Sequence, residues 1–166
     1  MKSLMMLRHA EAAPEAPNLP DPRRPLTARG RGQAQALGRW LATRGMAPDR
    51  ILSSSAVRAR ETTELVKVAA DWQVPVCEIA ALYAATTEFL LAEVNRQADK
   101  VQTLLVVAHA PGVPDLVGAL VARRGEVALV CEPATFMEVV FDAESWSAIA
   151  PRSGILRVLL PPLGNR

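Results

Sequence analysis

The feature that most constrains this chain is a pair of short apolar runs, each ended by a histidine. Ser3 to Leu7 is almost continuously apolar and gives way to Arg8-His9, and Thr103 to Ala108 gives way to His109. Apolar runs of that length, bounded by polar residues, read as strands buried on both faces. Strands of that kind belong to parallel sheets covered by helices, and open sheets of this class bind ligands at the C-terminal ends of their strands. His9 and His109 are the only histidines in the chain, and the pattern puts both at that edge.

The segments around these runs alternate in the same way. Ala12 to Pro25 carries Pro14, Pro17, Pro20, Pro22 and Pro25, which excludes a helix or a central strand and marks a fixed loop. Arg23 and Arg24 stand near its end, where one of them can turn back toward the strand edge. Thr27 is a good N-cap for a helix from Ala28 to Arg44, with Ala34, Leu37, Trp40 and Leu41 at helical spacing and Gly45 as its stop. Ile51 and Leu52 begin a second buried strand that ends in Ser53 to Ser55. A helix follows from about Ala56 to Trp72, with Leu65, Val68, Ala69 and Trp72 as its expected core face. Arg58 falls in its first turn, an unfavourable place for a cation unless it shares an anion with the helix amides.

Further along, Val74 to Ile79 reads as a third or edge strand, Leu82 to Thr87 as an irregular connection, and Glu88 to Ala98 as a helix. After His109, Pro111 suits the first position of a helix running to about Arg123. Phe136 to Phe141 and Trp146 to Ala150 read as a hairpin joined at Asp142 to Ser145, and Gly154 to Leu160 as a last short strand or extended tail. The expected fold is α/β: a three-layer α/β/α sandwich with a mostly parallel sheet and an antiparallel addition near the C-terminus. Residues 1–166 are expected to form one domain.

Composition narrows the function classes. With 19 basic and 17 acidic residues, the net charge of +2 gives no case for nucleic acid, and the 4% aromatic content offers no stacking platform. No apolar run is long enough to span a membrane, and the N-terminal run is too short for a signal peptide. Cys77 and Cys131 lie far apart among mostly apolar neighbours, which points to free thiols in a reducing cytosol. A cytoplasmic protein is expected.

Three strand ends thus carry Arg8-His9, Arg58 and His109. A parallel sheet brings them to one edge with two helix N-termini, a set that attracts a dianion such as phosphate. No GxxxxGK[ST] loop is present to cradle a nucleoside triphosphate. Two histidines without a carboxylate cluster make a poor metal site, so no metal and no cofactor is expected. Neutral imidazole is a competent nucleophile toward phosphorus, with arginines and a second histidine to spread the charge.

These residues stand in four ordered motifs: LRHAEA, RPLTARG, SSSAVRARET and VVAHAPG, from Met1 to about Leu120. The pattern resembles the histidine phosphatase superfamily, the phosphoglycerate-mutase-like enzymes, and looks most like the SixA-type phosphohistidine phosphatases. The resemblance implies that His9 takes the phosphoryl group as a phosphohistidine intermediate, and that Arg8, Arg58 and His109 form a metal-independent phosphate pocket. Arg24 is a further candidate for substrate binding. The chain departs from the family's usual RHG wording at Ala10, which adds only a methyl group. Many family members also use a carboxylate after the third strand as general acid. Glu88 is the carboxylate of that region here, with Glu11 beside His9 as a second choice; Glu88 at a helix start is also explained by the dipole alone. Three functions remain open on the sequence: a phosphatase of phosphohistidine in a protein, a phosphatase of small phosphate monoesters, and a low-turnover phosphate-binding regulatory domain.

Overall fold

The computed structural model describes residues 1–122 and 127–164. Its sheet has six strands: β1 (Lys2–Arg8), β2 (Arg50–Ser54), β3 (Val76–Ile79), β4 (Thr103–Ala108), β5 (Phe136–Phe141) and β6 (Ile155–Leu160), in the order β3-β2-β4-β1-β5-β6. β1 to β4 run parallel; β5 is antiparallel to β1, and β6 to β5. The helices are α1 (Ala28–Thr43), α2 (Val57–Ala69), α3 (Thr87–Asn95) and α4 (Gly112–Val121).

Strand side chains alternate between two cores, which is why the runs are apolar throughout. Leu4, Met6, Leu104 and Val106 pack with Leu90 of α3 and Leu116 of α4. Met5, Leu7, Leu105 and Val107 pack with Leu37 of α1 and Val66 of α2. The sheet is therefore the middle of three layers, as expected.

Local chemistry sets the helix ends. Thr27 Oγ1 accepts from the Gly30 amide at 2.9 Å, and Gly45 closes α1 in the left-handed region at φ 63°. Thr86 Oγ1 accepts from the Phe89 amide, so α3 begins at Thr87 and ends at Asn95, short of Ala98. Pro111 is the N-cap of α4 and not its first helical residue. The described part of α4 ends at Val121; Arg123, where the expected helix ended, lies outside the described residues. The loop from Ala12 to Pro25 contains a short 3-10 helix at Asp21–Arg23, and a second 3-10 helix, Ala80–Ala84, fills most of the connection after β3.

Two further expectations are corrected. Trp146 to Ala150 is not a return strand. Trp146–Ala148 is a 3-10 helix, and β5 pairs instead with β6. The indole of Trp146 is fully buried and donates to the Val101 carbonyl at 2.7 Å, while Ser145 Oγ accepts from the Ser147 amide at 3.2 Å. Burying the ring with its N–H satisfied outweighs a ladder position. The core face of α2 is also different: Val68 is 76% exposed, and the helix buries Arg58, Ala59, Thr62, Thr63 and Val66. Its threonines are hydrogen-bonded, Thr62 Oγ1 donating to the Arg58 carbonyl at 2.6 Å and accepting from the Ala10 amide at 3.0 Å. Small and hydrogen-bonded residues suit the close crossing with α1, where a Cβ on Gly38 would lie 2.5 Å from the Val66 carbonyl oxygen.

Gly30 has a similar duty next to His9. A Cβ there would meet the Glu11 carbonyl oxygen at 2.0 Å, whereas one on Gly32 would meet nothing within 4 Å. Gly30→Ala must push α1 away from the segment that carries His9, and should cost about 1–3 kcal/mol or more. Gly32→Ala should be neutral or stabilise by up to about 1 kcal/mol. Urea unfolding of the two variants checks the pair; equal stabilities would refute the close approach.

Candidate active site

The parallel register of β1 and β4 sets Arg8 beside Ala108, and the His9 amide continues the ladder by donating to the Ala108 carbonyl at 3.0 Å. His9 and His109 therefore leave adjacent strand ends together, with ring centroids 5.0 Å apart. Both are buried, at 7% and 9% exposure.

The His9 ring is oriented on both sides. Nδ1 lies 2.8 Å from the Ala10 carbonyl oxygen, which can only accept, so Nδ1 carries the proton. Nε2 then holds the lone pair and accepts from Arg58 Nε at 3.2 Å. Burial pushes the His9 pKa down to about 3, against an opposing hydrogen bond to Ala10 and with help from His109, Arg58 and Arg8. Burial, then the charge of Arg58, lowers His109 to about 4. Both imidazoles are neutral at pH 7. Ala10 is fully buried in the core with α1 and α2, where its methyl is packed.

Arg58 comes from the first turn of α2, which no side chain caps. It is 5% exposed, so it does not point into solvent. Arg8 donates through Nη1 to the Cys131 carbonyl at 2.6 Å, and its Nε is buried without a partner, as is Nδ1 of His109. Unpaired buried polar groups are uncommon in folded proteins. His109 Nε2 is 2.8 Å from Ser54 Oγ at the end of β2. The structure thus brings together Arg8, His9, Arg58 and His109.

The other candidates stand further out. Arg24 does turn back toward the site, while Arg23 is exposed. Arg24 reaches the cluster through Asp21, donating from Nε to Oδ1 at 2.8 Å, and holds the Ala13 carbonyl at 2.8 Å. Glu11 faces α1, accepting from Thr27 Oγ1 at 2.7 Å and from Arg29 at 3.0 Å. Glu88 is exposed; its own amide and the Thr86 hydroxyl lower its pKa. It lines a cavity of about 600 Å³ that also touches Arg58, Tyr83, Thr86, His109 and Gly112. Among the described residues, no group of three or more His, Cys, Asp or Glu is arranged to hold a metal. No helix among them is long and apolar enough to cross a membrane. Cys77 and Cys131 are unpaired and half-buried, where burial was expected.

Asp21 and Tyr83 were not foreseen. Asp21 accepts from Arg58 Nη2 at 2.9 Å through Oδ2 and from Arg58 Nη1 at 2.7 Å through its backbone carbonyl. The Tyr83 hydroxyl also donates to Asp21 Oδ2. That bond, then Arg58, lowers the Asp21 pKa to about 2. The same bond, then burial, raises the pKa of Tyr83 against the opposing pull of Arg58. The sequence signal was an aspartate fixed between Pro20 and Pro22, close to two arginines.

The profile of the histidine phosphatase superfamily (branch 1) matches residues 4–83. An uncharacterized protein of Mycobacterium tuberculosis is 34% identical over 152 residues, 87% of this chain and 92% of that protein. Among solved structures, a proposed phosphohistidine phosphatase, SixA, from Nakamurella multipartitia is 28% identical with a TM-score of 0.84, over 98% of this chain and 96% of that one. A proposed SixA from Agrobacterium tumefaciens is 25% identical with a TM-score of 0.80, over 97% and 98%.

The two histidines tie stability to pH. Their folded pKa values of about 3 and 4 lie below the ordinary 6.5, so between those limits the unfolded chain binds more protons. Their contribution is complete above pH 6.5 and is lost as pH falls toward 4, by at most about 1.4 kcal/mol per pH unit for each ring. Wild type should lose about 2 kcal/mol or more beyond the H9A/H109A variant between pH 6.5 and 5, measured by urea unfolding at each pH. Parallel losses in the two proteins would contradict the neutral, buried pair.

Proposed function

The chain belongs to the histidine phosphatase superfamily and is a phosphatase of the SixA type, and we propose that its substrate is phosphohistidine presented by another protein. His9 Nε2 attacks phosphorus in line with the bond to the leaving imidazole nitrogen. That P–N bond breaks as the bond to His9 forms, and the leaving ring keeps or gains a proton from water. Water then attacks the phosphorylated His9, releasing inorganic phosphate and restoring the neutral ring. Arg8, Arg58 and His109 spread the charge on the equatorial oxygens, the role that Mg²⁺ plays in many phosphoryl-transfer enzymes, and we read the reaction as metal-independent. Arg24 acts in this reading through Asp21, not on the substrate.

One contrast carries the choice of substrate: the surroundings hold the His9 nucleophile neutral and hold Asp21 and Glu88 below the usual carboxylate range. His9 is held at about 3 and Asp21 at about 2, and the pKa of Glu88 is lowered. An alkoxide leaving from a monoester needs a proton in the transition state, which an ionised carboxylate cannot give. A phosphoramidate leaves as imidazole and needs much less help. The open rim adds support: Ala84, Thr86, Ala110 and Pro111 line the cavity and are exposed, so a side chain on another protein can reach it. A phosphatase of small monoesters, with Glu88 protonated as the acid, is the competing reading; its support is the place of Glu88 in the cavity wall.

Hydrolysis of a phosphohistidine peptide should exceed that of sugar, glycerate and aryl phosphates, and His9→Ala should abolish it. Glu88→Gln should change phosphohistidine turnover by less than about tenfold and lower monoester turnover further. A loss of about a hundredfold on phosphohistidine would make Glu88 the acid and remove the reason for preferring that substrate.

A further inference from the structure

A planar guanidinium offers two edges for paired hydrogen bonds, one between its terminal nitrogens and one between Nε and a terminal nitrogen. Asp21 takes the first edge of Arg58 completely, its backbone carbonyl at 2.7 Å from Nη1 and Oδ2 at 2.9 Å from Nη2. The second edge then faces inward, where Nε donates to His9 Nε2 at 3.2 Å. Tyr83 closes the remaining direction, its ring centroid 5.6 Å from Arg58 Cζ. Asp21 is itself held, by Arg24 Nε at 2.8 Å on Oδ1 and by the Tyr83 hydroxyl on Oδ2. Prolines on both sides of it restrict the loop backbone.

We propose that Asp21 is a positioning residue: it grips the outer edge of Arg58 and so keeps the Nε edge turned toward the phosphoryl group at His9. The inference rests on the phosphatase reading above. A free arginine side chain loses rotamer entropy each time it must find one geometry, and a tethered one has already lost it. A carboxylate close to a phosphoryl dianion would ordinarily repel it. Here its charge is shared by Arg58 and Arg24, and Arg8 is unpaired by any carboxylate in the described hydrogen bonds. The pocket stays cationic with Asp21 in place.

The test is Asp21→Asn in two backgrounds, wild type and Arg58→Lys, with two readouts. One is turnover of a phosphohistidine peptide, and the other is calorimetric binding of tungstate, an oxyanion of phosphate shape that needs no turnover. In the wild-type background, Asp21→Asn should lower kcat/KM about tenfold or more, chiefly through kcat, and weaken tungstate binding. In the Arg58→Lys background the same change should cost less than about twofold, because the fork that Asp21 holds is gone. Tyr83→Phe, which removes one bond to Asp21 and leaves Arg58 its partner, should lower kcat/KM in the same direction by a smaller factor. Equal losses in both backgrounds would mean a general loop defect and would overturn the proposal. Tighter tungstate binding by Asp21→Asn would overturn it too, since Asp21 would then be competing with the anion for Arg58. A wild type that neither turns over nor binds tungstate would take down the phosphatase reading, and this inference with it.

Discussion

The site depends first on the parallel pairing of β1 with β4. The two apolar strands share one register from Ser3 opposite Thr103 to Arg8 opposite Ala108, and each is followed at once by a histidine. Because successive strand residues alternate faces, a slip of one residue would send every strand side chain into the opposite core, where it does not fit. The two hydrophobic cores thus enforce the register, and the register enforces the 5.0 Å separation of the rings. Fold stability and site geometry are here the same constraint.

The second constraint is electrostatic. Two arginines, Arg8 and Arg58, act on two buried imidazoles, and Arg24 joins them through Asp21. Burying a histidine among cations keeps it neutral, which is what a nitrogen nucleophile requires. The cost of holding cations close together is offset by backbone carbonyls, from Cys131 to Arg8 and from Ala13 to Arg24, and by the carboxylate of Asp21. Thr62 ties this arrangement to the scaffold, joining the Ala10 amide after His9 to the first turn of α2 that carries Arg58. Gly30 lets α1 press on the backbone of Glu11 from the other side.

Much of this was legible in the sequence because the strongest signals are local. The strands Thr103–Ala108 and Phe136–Phe141 follow directly from apolar runs with polar ends, and α1 from Thr27 and Gly45. The gathering of Arg8, His9, Arg58 and His109 follows from parallel order alone. What escaped depends on contacts that periodicity does not record. Trp146 looked like a strand residue until its indole found Val101. The buried face of α2 carries threonines and an arginine, which hydropathy assigns to solvent. Asp21 sits in a proline-rich loop where composition gives no direction, and its partners Arg58 and Tyr83 are 37 and 62 residues away in the chain.

The central claim is that His9 Nε2 carries the phosphoryl group during turnover. It is tested most directly by rapid quenching of the enzyme with a labelled phosphohistidine peptide at alkaline pH, followed by mass mapping of the digested chain. The account predicts phosphate on the peptide containing His9, stable to alkali and lost in acid, and none in the Arg58→Lys or wild-type enzyme at any other residue. Label on His109 or on a carboxylate, or full turnover by His9→Ala, would contradict it.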